Sequence, residues 1–196
     1  MIKIYSFPFP LIDGYVWLHY RLNDEHTQVP SSKTYIISKI TFHQHAQDMA
    51  PQSLTAEEKH VLDVAKEAFH AYSQSCSVLT NQSLTLCDYL LWPTSGFAHK
   101  VQQALCGIPC GEVRSYGSIA QQIRTPKSAR AVGRVCANNP FPLIIPCHRV
   151  VSSQYNPHKT LEDNSSYLGG YMYGLTTKKK LLNHERLSYT LPHYTT

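Results

Sequence analysis

Alternation of apolar and polar positions predicts three strands in the first half of the chain. Residues 1–7, Met-Ile-Lys-Ile-Tyr-Ser-Phe, alternate with a period of two, which is typical of a half-buried strand. Residues 34–40 are rich in β-branched and aromatic side chains and predict a second strand. Residues 84–89 alternate again and predict a third.

Between the last two of these strands, the apolar positions change to helical spacing. Thr55-Ala56-Glu57-Glu58 has the pattern of a capping box, in which the first and last side chains satisfy backbone N–H groups at a helix start. The apolar positions that follow are spaced as on one helix face: Val61, Leu62, Ala65, Phe69 and Tyr72. A helix among strands predicts a small α/β domain, which we interpret as a scaffold.

A domain boundary is expected where the apolar run ending at Trp92 meets the breaker cluster Pro93-Thr94-Ser95-Gly96. Residues 1–92 then form the N-terminal α/β domain and residues 93–196 a second domain. Immediately after the boundary, Phe97, Val101 and Leu105 lie four apart on one helix face. The second domain is therefore predicted to be mostly helical, and the fold class of the whole chain is α/β in the α+β arrangement.

Two short helices joined by a turn are predicted in the second domain. Ser115 is placed to cap a helix that ends near Ile123. A tight turn at residues 124–126 follows, with Pro126 close to the start of a helix that ends near Ala137. This is the pattern of a helix-turn-helix, whose second helix lies against DNA in proteins that use it.

The segment 139–150, Asn-Pro-Phe-Pro-Leu-Ile-Ile-Pro-Cys-His-Arg-Val, indicates a reactive thiol. A Cys-His pair alone is a weak signal, because cysteine is most often an inert buried side chain. Here an apolar run lies between Pro142 and Pro146, after a turn favoured at Asn139. Cys147 is therefore expected at the end of a rigid segment that faces a cavity.

Charge divides the chain in the same place as the predicted boundary. From residue 93 onward there are twelve Lys and Arg residues against four Asp and Glu, whereas residues 1–92 carry six basic and nine acidic residues. A basic half of this kind suggests a polyanionic partner such as DNA.

No segment has the length of a membrane span or the pattern of a secretory signal, and no membrane association is expected. Six cysteines without a signal suggest reduced thiols in a cytosolic or nuclear compartment. Their spacing lacks the paired pattern of a zinc site, so neither a metal nor another cofactor is expected.

Five segments, in order, resemble those of the O6-alkylguanine-DNA alkyltransferases and cover about half the chain. The most specific is Pro-Cys-His-Arg-Val at residues 146–150. The other four are Ile-Pro-Cys-Gly-Glu-Val-Arg-Ser-Tyr-Gly at 108–117, Ala-Arg-Ala-Val-Gly at 129–133, Gly-Tyr-Met-Tyr-Gly-Leu at 170–175, and Lys178 through Leu181-Leu182 to Glu185.

The resemblance implies a winged-helix-like helix-turn-helix in the second domain and a chemical role for several residues. Cys147 would be the nucleophile that takes an alkyl group, chiefly methyl, from O6 of guanine. His148 would act as base through a water, with Glu185 orienting the imidazole. Asn139 matches the asparagine that ties the active-site turn to the recognition helix. Tyr116 is a candidate proton donor to the leaving guanine.

It also implies how DNA is held. Arg130 matches the arginine that fills the space left by a flipped nucleotide, and Tyr116 matches the tyrosine that crowds the phosphate. Arg134, Ser128 and Ala129 complete the expected DNA contacts. The flipped base would meet the backbone of Val150 and the side chain of Tyr171. These last two residues are the expected substrate contacts.

The implied partner is double-stranded DNA that contains O6-alkylguanine. The protein would bind it as a monomer, with cooperative assembly along DNA left open. It would act once per molecule, in the cytoplasm of a bacterium or the nucleus of a eukaryote.

Two other functions are less consistent with the sequence. A damage-binding protein without transfer activity would keep this fold but lack Cys147, which is present. A cysteine hydrolase is disfavoured because neighbouring residues on an extended segment point in opposite directions.

Three departures from the family pattern are also present. The segment 152–170 is roughly ten residues longer than the family pattern leads us to expect, and this insertion predicts a loop near the pocket. Met172 and Tyr173 are bulky where some members have small residues, which suggests poor transfer of large groups such as benzyl. Gln102 and Gln103 stand where the family is often aromatic, and the sequence offers no functional account of them.

Overall fold

A computed structural model of the chain describes residues 2–23, 35–45, 54–76, 89–91, 96–156 and 158–190. The chain divides into two units, Met1–Trp92 and Pro93–Thr196. Residues 92–95, where the sequence indicates a boundary, lie outside the described residues.

In the described part of the N-terminal unit, a three-stranded antiparallel sheet packs against a helix. Strands β1 (Lys3–Phe9), β2 (Gly14–Leu22) and β3 (Tyr35–His43) pair in the order β1-β2-β3. Helix α1 (Ala56–Gln74) places Phe69 at the centre of the core, with ring centroids 5.4 to 6.5 Å from those of Phe7, Phe9 and Phe42. Edge-to-face packing of this kind adds to the free energy of burying the rings.

The structure confirms the predicted strands at the N-terminus and at residues 35–40, although both run a few residues further. Strand β2 was missed, although its buried positions Val16, Leu18 and Tyr20 alternate as a strand requires. The predicted strand at residues 84–89 lies almost entirely outside the described residues. Beyond it, Leu90 forms an isolated bridge with Ile37.

Helix α1 begins where the capping box indicates. The Glu58 N–H donates to Thr55 Oγ1 at 3.2 Å, and the Thr55 N–H donates to Glu58 Oε2 at 2.9 Å. Lys3 from β1 also pairs with the Glu58 carboxylate, which is fully buried. The predicted apolar stripe of this helix is buried throughout: Val61, Leu62, Ala65, Phe69 and Tyr72.

The described part of the C-terminal unit contains four α-helices and a two-stranded parallel pair. The helices are α2 (Gly96–Cys106), α3 (Tyr116–Gln122), α4 (Ala129–Ala137) and α5 (Gly174–Thr190). Strands β4 (Arg114–Ser115) and β5 (Val150–Val151) pair in parallel and bring the segment after Cys147 beside the start of α3. The mixture of helices and small sheets confirms the predicted fold class.

Helices α3 and α4 form the predicted helix-turn-helix pair. Ser115 caps α3 by accepting a hydrogen bond from the Ser118 N–H at 3.0 Å. Helix α4 begins at Ala129, three residues after Pro126, because the Ser128 N–H donates to the Thr125 carbonyl and closes a separate turn.

The insertion at residues 152–170 is a folded loop that packs on α5. Its Leu161 and Leu168 join Val151 and Leu182 in a small apolar cluster. The buried Asn164 side chain organises the polar part: it accepts from the Asn156 N–H at 2.8 Å and donates to the carbonyls of Asn156 and Thr160. The loop ends next to residues 170–172, which line the cavity described below.

Cys136 and Cys147 are free thiols. Cys76 and Cys110 are each disulfide-bonded, so the expectation of reduced thiols throughout is wrong for these two. Within the described ranges, no helix is long and apolar enough to cross a membrane.

We expect Thr55→Ala to lower the free energy of unfolding by about 1 kcal/mol, because the N–H of the buried Glu58 loses its capping acceptor. Urea denaturation followed by circular dichroism measures this. Ser73→Ala, which removes an exposed hydroxyl near the other end of α1, is the control. An equal effect of the two substitutions would contradict a capping role.

Candidate active site

Cys147 begins a single turn of 3-10 helix, Cys147–Arg149, at the end of the proline-flanked segment. The turn closes when the Arg149 N–H donates to the Pro146 carbonyl at 3.0 Å. Cys147 is only 5% exposed. The sequence interpretation of this segment as extended is wrong, so the argument it supplied against a hydrolase does not hold.

Asn139 holds this turn from the end of α4. Its Nδ2 donates to the Ile145 carbonyl at 2.7 Å and to Cys147 Sγ at 3.0 Å, while its Oδ1 accepts from the Phe141 N–H at 3.0 Å. An amide that donates to sulfur favours the thiolate over the thiol. Asn139 therefore both shapes the segment and contacts the thiol of Cys147.

His148, Arg149 and Glu185 form a buried charged group. His148 Nε2 lies 2.7 Å from Glu185 Oε1. The Arg149 guanidinium donates to both oxygens of the same carboxylate, at 2.8 to 3.1 Å, and its Nη1 donates to the Ile108 carbonyl. Arg149 therefore anchors the turn through a buried ion pair with Glu185 and a hydrogen bond to the Ile108 carbonyl.

These contacts set the protonation of the group. Burial lowers the pKa of His148 more than Glu185 raises it, so the imidazole is neutral at pH 7. Burial alone would raise the pKa of Glu185, but His148 and Arg149 outweigh it and hold that pKa well below its usual range. A neutral His148 that donates Nε2–H to Glu185 keeps a lone pair on Nδ1. Nδ1 has no hydrogen-bond partner among the described groups.

Lys178 is a functional candidate that sequence reasoning did not assign. Its side chain is fully buried, and its Nζ donates to the carbonyls of Val150 at 2.7 Å and Leu168 at 2.6 Å. Burial lowers the pKa of Lys178 to about 8, so the group is still mostly protonated at pH 7. The spacing of Lys178, Leu181, Leu182 and Glu185, all buried on one face of α5, is the signal that marks it.

Opposing effects act on the pKa of the Cys147 thiol. Burial raises the pKa of Cys147, whereas the hydrogen bond from Asn139 and the positive charge of Lys178 lower it. Burial, with Cys136 and Cys147 nearby, raises the pKa of Tyr116 to about 12, so its phenol stays protonated. Burial also raises the pKa of the neighbouring Cys136 thiol to about 12.

Cys147 opens into a cavity of about 620 Å³, which we call the thiol cavity. Four of the predicted site residues line it with Cys147, namely Tyr116, Ala129, Arg130 and Tyr171. Gly133, Cys136, Ala137, Gly170 and Met172 complete the lining. A cavity of this volume is ample for a single base.

Three of the predicted DNA and substrate contacts lie outside this lining. Ser128 donates to the Thr125 carbonyl at 2.6 Å and belongs to the turn before α4. Arg134 lines a different cavity, on another side of α4. The Val150 side chain is fully buried and outside the lining, and the Val150 carbonyl accepts a hydrogen bond from Lys178.

No group of three or more His, Cys, Asp or Glu residues that could hold a metal occurs in the part of the chain that the structure describes.

Comparison with known proteins places this site in a family. The family model described as "6-O-methylguanine DNA methyltransferase, DNA binding domain" matches residues 96–187. A methylated-DNA–protein-cysteine methyltransferase of Methanosarcina mazei is 38% identical over 121 residues, which are 61% of this chain and 70% of that protein. One of Salmonella typhimurium is 39% identical over 105 residues, 53% of this chain and 55% of its own length.

Solved structures agree in fold. An O6-methylguanine DNA methyltransferase of Methanococcus jannaschii superposes with a TM-score of 0.61 at 24% identity, covering 99% of both chains. Mycobacterium tuberculosis OGT, solved in complex with DNA, gives a TM-score of 0.58 at 24% identity, with 95% of this chain and 93% of that chain covered.

The fold and the buried cysteine define a DNA-repair transferase that uses a thiol. The chain belongs to the methylated-DNA–protein-cysteine methyltransferase family, which confirms the resemblance drawn from its five motifs.

We expect Lys178→Met to shift the reactivity of Cys147 to higher pH, because the thiolate loses a nearby positive charge. The rate of alkylation by iodoacetamide as a function of pH measures the shift, with circular dichroism to verify folding. Lys179→Met removes the exposed pairing with Glu162 and is the matched control. Identical pH profiles for both variants would contradict the electrostatic role of Lys178.

Proposed function

We propose that this repair enzyme transfers an alkyl group, chiefly methyl, from O6 of guanine in double-stranded DNA to Cys147, once per protein molecule. The observation that carries the proposal is the placement of Cys147: a buried thiol that contacts Asn139, opens into the thiol cavity and lies beside the His148–Glu185 pair. The family supports DNA alkylation repair in general.

The proposed step is a displacement at the alkyl carbon. The S–C bond to Cys147 forms as the bond between the carbon and guanine O6 breaks. The thiol proton passes through a water to Nδ1 of His148, which is neutral and oriented by Glu185. The departing guanine takes one proton, for which the phenol of Tyr116 in the cavity lining is the donor. Returning the His148 proton to Tyr116 balances the reaction.

Burial of the thiol requires that the base leave the duplex. Cys147 is 5% exposed at the inner end of a cavity, so a stacked base cannot reach it. Helix α4 borders this cavity with Ala129, Arg130 and Gly133, of which two are small enough to allow close approach of a duplex. We propose that the Arg130 side chain fills the space left by the flipped nucleotide. The Tyr116 side chain then crowds the adjacent phosphate.

The remaining DNA and substrate contacts follow from this placement. Arg134 is exposed one turn after Arg130, where it can neutralise a phosphate. The turn at Ser128 precedes the start of α4, which we propose to contact the sugar-phosphate backbone of DNA. The Val150 carbonyl, which also accepts from Lys178, and the Tyr171 side chain in the cavity wall are proposed to hold the flipped guanine.

The thioether formed on Cys147 is inert to hydrolysis, and the protein is therefore consumed. We propose that it binds DNA as a monomer. Its substrate places it with the genome, in the bacterial cytoplasm or the eukaryotic nucleus.

Incubation with a duplex containing O6-methylguanine should add about one methylene, roughly 14 Da, to the intact protein. Mass spectrometry should find one addition on the wild type and none on Cys147→Ser. Cys106→Ser, which alters an exposed cysteine, should accept one methyl group as the wild type does. Tight binding to the modified duplex without a mass change would instead indicate a damage-binding protein.

Large alkyl groups should transfer more slowly than methyl, because Met172 narrows the thiol cavity and Tyr173 packs edge-to-face on Tyr171 with ring centroids 5.7 Å apart. We expect Met172→Ala to raise the single-turnover rate with O6-benzylguanine DNA by roughly tenfold, with little effect on methyl transfer. Tyr167→Ala, an exposed position outside the cavity lining, serves as control. Equal wild-type rates for the two substrates would refute the steric argument.

A further inference from the structure

A second cavity borders helix α4 on a different side from the thiol cavity. This cavity has a volume of about 480 Å³ and lies between α2 and α4. Helix α2 contributes Phe97 and Gln102 to its lining, and α4 with the residue after it contributes Ala131, Arg134 and Asn138. None of the roles described above uses this space.

The two cavities flank one exposed ridge. Arg130, Arg134 and Ala137 are the exposed side chains of α4 and follow one another at helical spacing. Arg130 and Ala137 line the thiol cavity, and Arg134 lines the second one. A duplex that lies along this ridge therefore meets both cavities.

Gln102 is an unusual residue for the wall of such a cavity. Its side chain is 3% exposed, and its Oε1 has no donor in the described part of the chain. A buried amide oxygen without a donor destabilises the protein, so its presence calls for a compensating role. Turning about its last bond exchanges the amide oxygen and nitrogen, so that Gln102 can present either to the cavity.

We propose that this second cavity binds an unstacked adenine nucleotide of the DNA on which the enzyme acts. The oxygen of the Gln102 amide can accept from the N6 amino group of adenine while the amide nitrogen donates to N7. This is the pairing by which glutamine recognises adenine. The half-buried ring of Phe97 offers a surface for stacking, and the exposed Arg134 guanidinium a partner for the phosphate. This inference rests on the proposed function only in that α4 is taken to face DNA.

Titration of the ¹⁵N-labelled protein with dAMP and with dTMP tests the site. We expect dAMP to shift the signals of Gln102, Ala131 and Val135, and to bind about five- to tenfold more tightly than dTMP. Gln102→Leu, which keeps the size and apolar packing of the position, should abolish this preference. Gln103→Leu changes an exposed neighbour on the same helix and should retain it.

Single-stranded pentanucleotides of adenine and of thymine, which carry equal charge, test whether the ligand is DNA. We expect the adenine preference to persist in them and to depend on Gln102. Equal binding of dAMP and dTMP, an undiminished preference in Gln102→Leu, shifts confined to Gly133 and Cys136 of the thiol cavity, or a preference seen only with free dAMP would each overturn the proposal.

Methyl transfer from an O6-methylguanine duplex, followed in parallel by intact mass, separates the two hypotheses. Transfer by the wild type and both glutamine variants, without an adenine preference, would leave the proposed function intact and remove the second site. Absence of methyl transfer in the wild type would overturn the proposed function, whatever the nucleotide titrations show.

Discussion

The carboxylate of Glu185 is the interaction on which the active-site geometry depends. It is almost fully buried, and it accepts hydrogen bonds from His148 and from Nε and Nη2 of the Arg149 guanidinium. Through Arg149 it also connects α5 to the Ile108 carbonyl in the segment before β4. A buried ion pair gains little net stability over apolar packing, but losing one partner costs about 3 to 5 kcal/mol because the other charge is left uncompensated. The network therefore fixes one arrangement of the turn at Cys147 rather than simply strengthening the fold.

The same burial that fixes the turn makes the thiol less acidic, and the structure opposes this with two groups from different elements. Asn139, at the end of α4, donates to the sulfur, and Lys178, on α5, supplies positive charge while bonding to two carbonyls. The thiolate is thus favoured by groups that are themselves held by the backbone. Because neither group can move away without breaking buried hydrogen bonds, the site is organised before a substrate enters.

Much of this arrangement could be predicted from local patterns. The capping box at Thr55, the cap at Ser115 and the apolar stripe of α1 depend on residues within a few positions of one another, and each occurs where the pattern indicates. The motif around Cys147 identified the family. The extended conformation expected there was wrong, since the backbone turns into a 3-10 helix whose closing hydrogen bond depends on the fold around it. The disulfide bonding of Cys76 and Cys110 was likewise not apparent from their spacing.

The sequence by itself determined the helix-turn-helix pair, the cysteine that we propose as nucleophile and the division of charge between the two halves, because periodicity, caps and composition are properties of short stretches or of simple counts. Only the tertiary structure decided which distant side chains meet. It brought Lys178 to the carbonyls of Val150 and Leu168, separated Arg134 from the thiol cavity that Arg130 lines, and buried Gln102 in the wall of a second one. Such contacts join residues far apart in the chain, and their geometry is set by how helices pack rather than by any local preference.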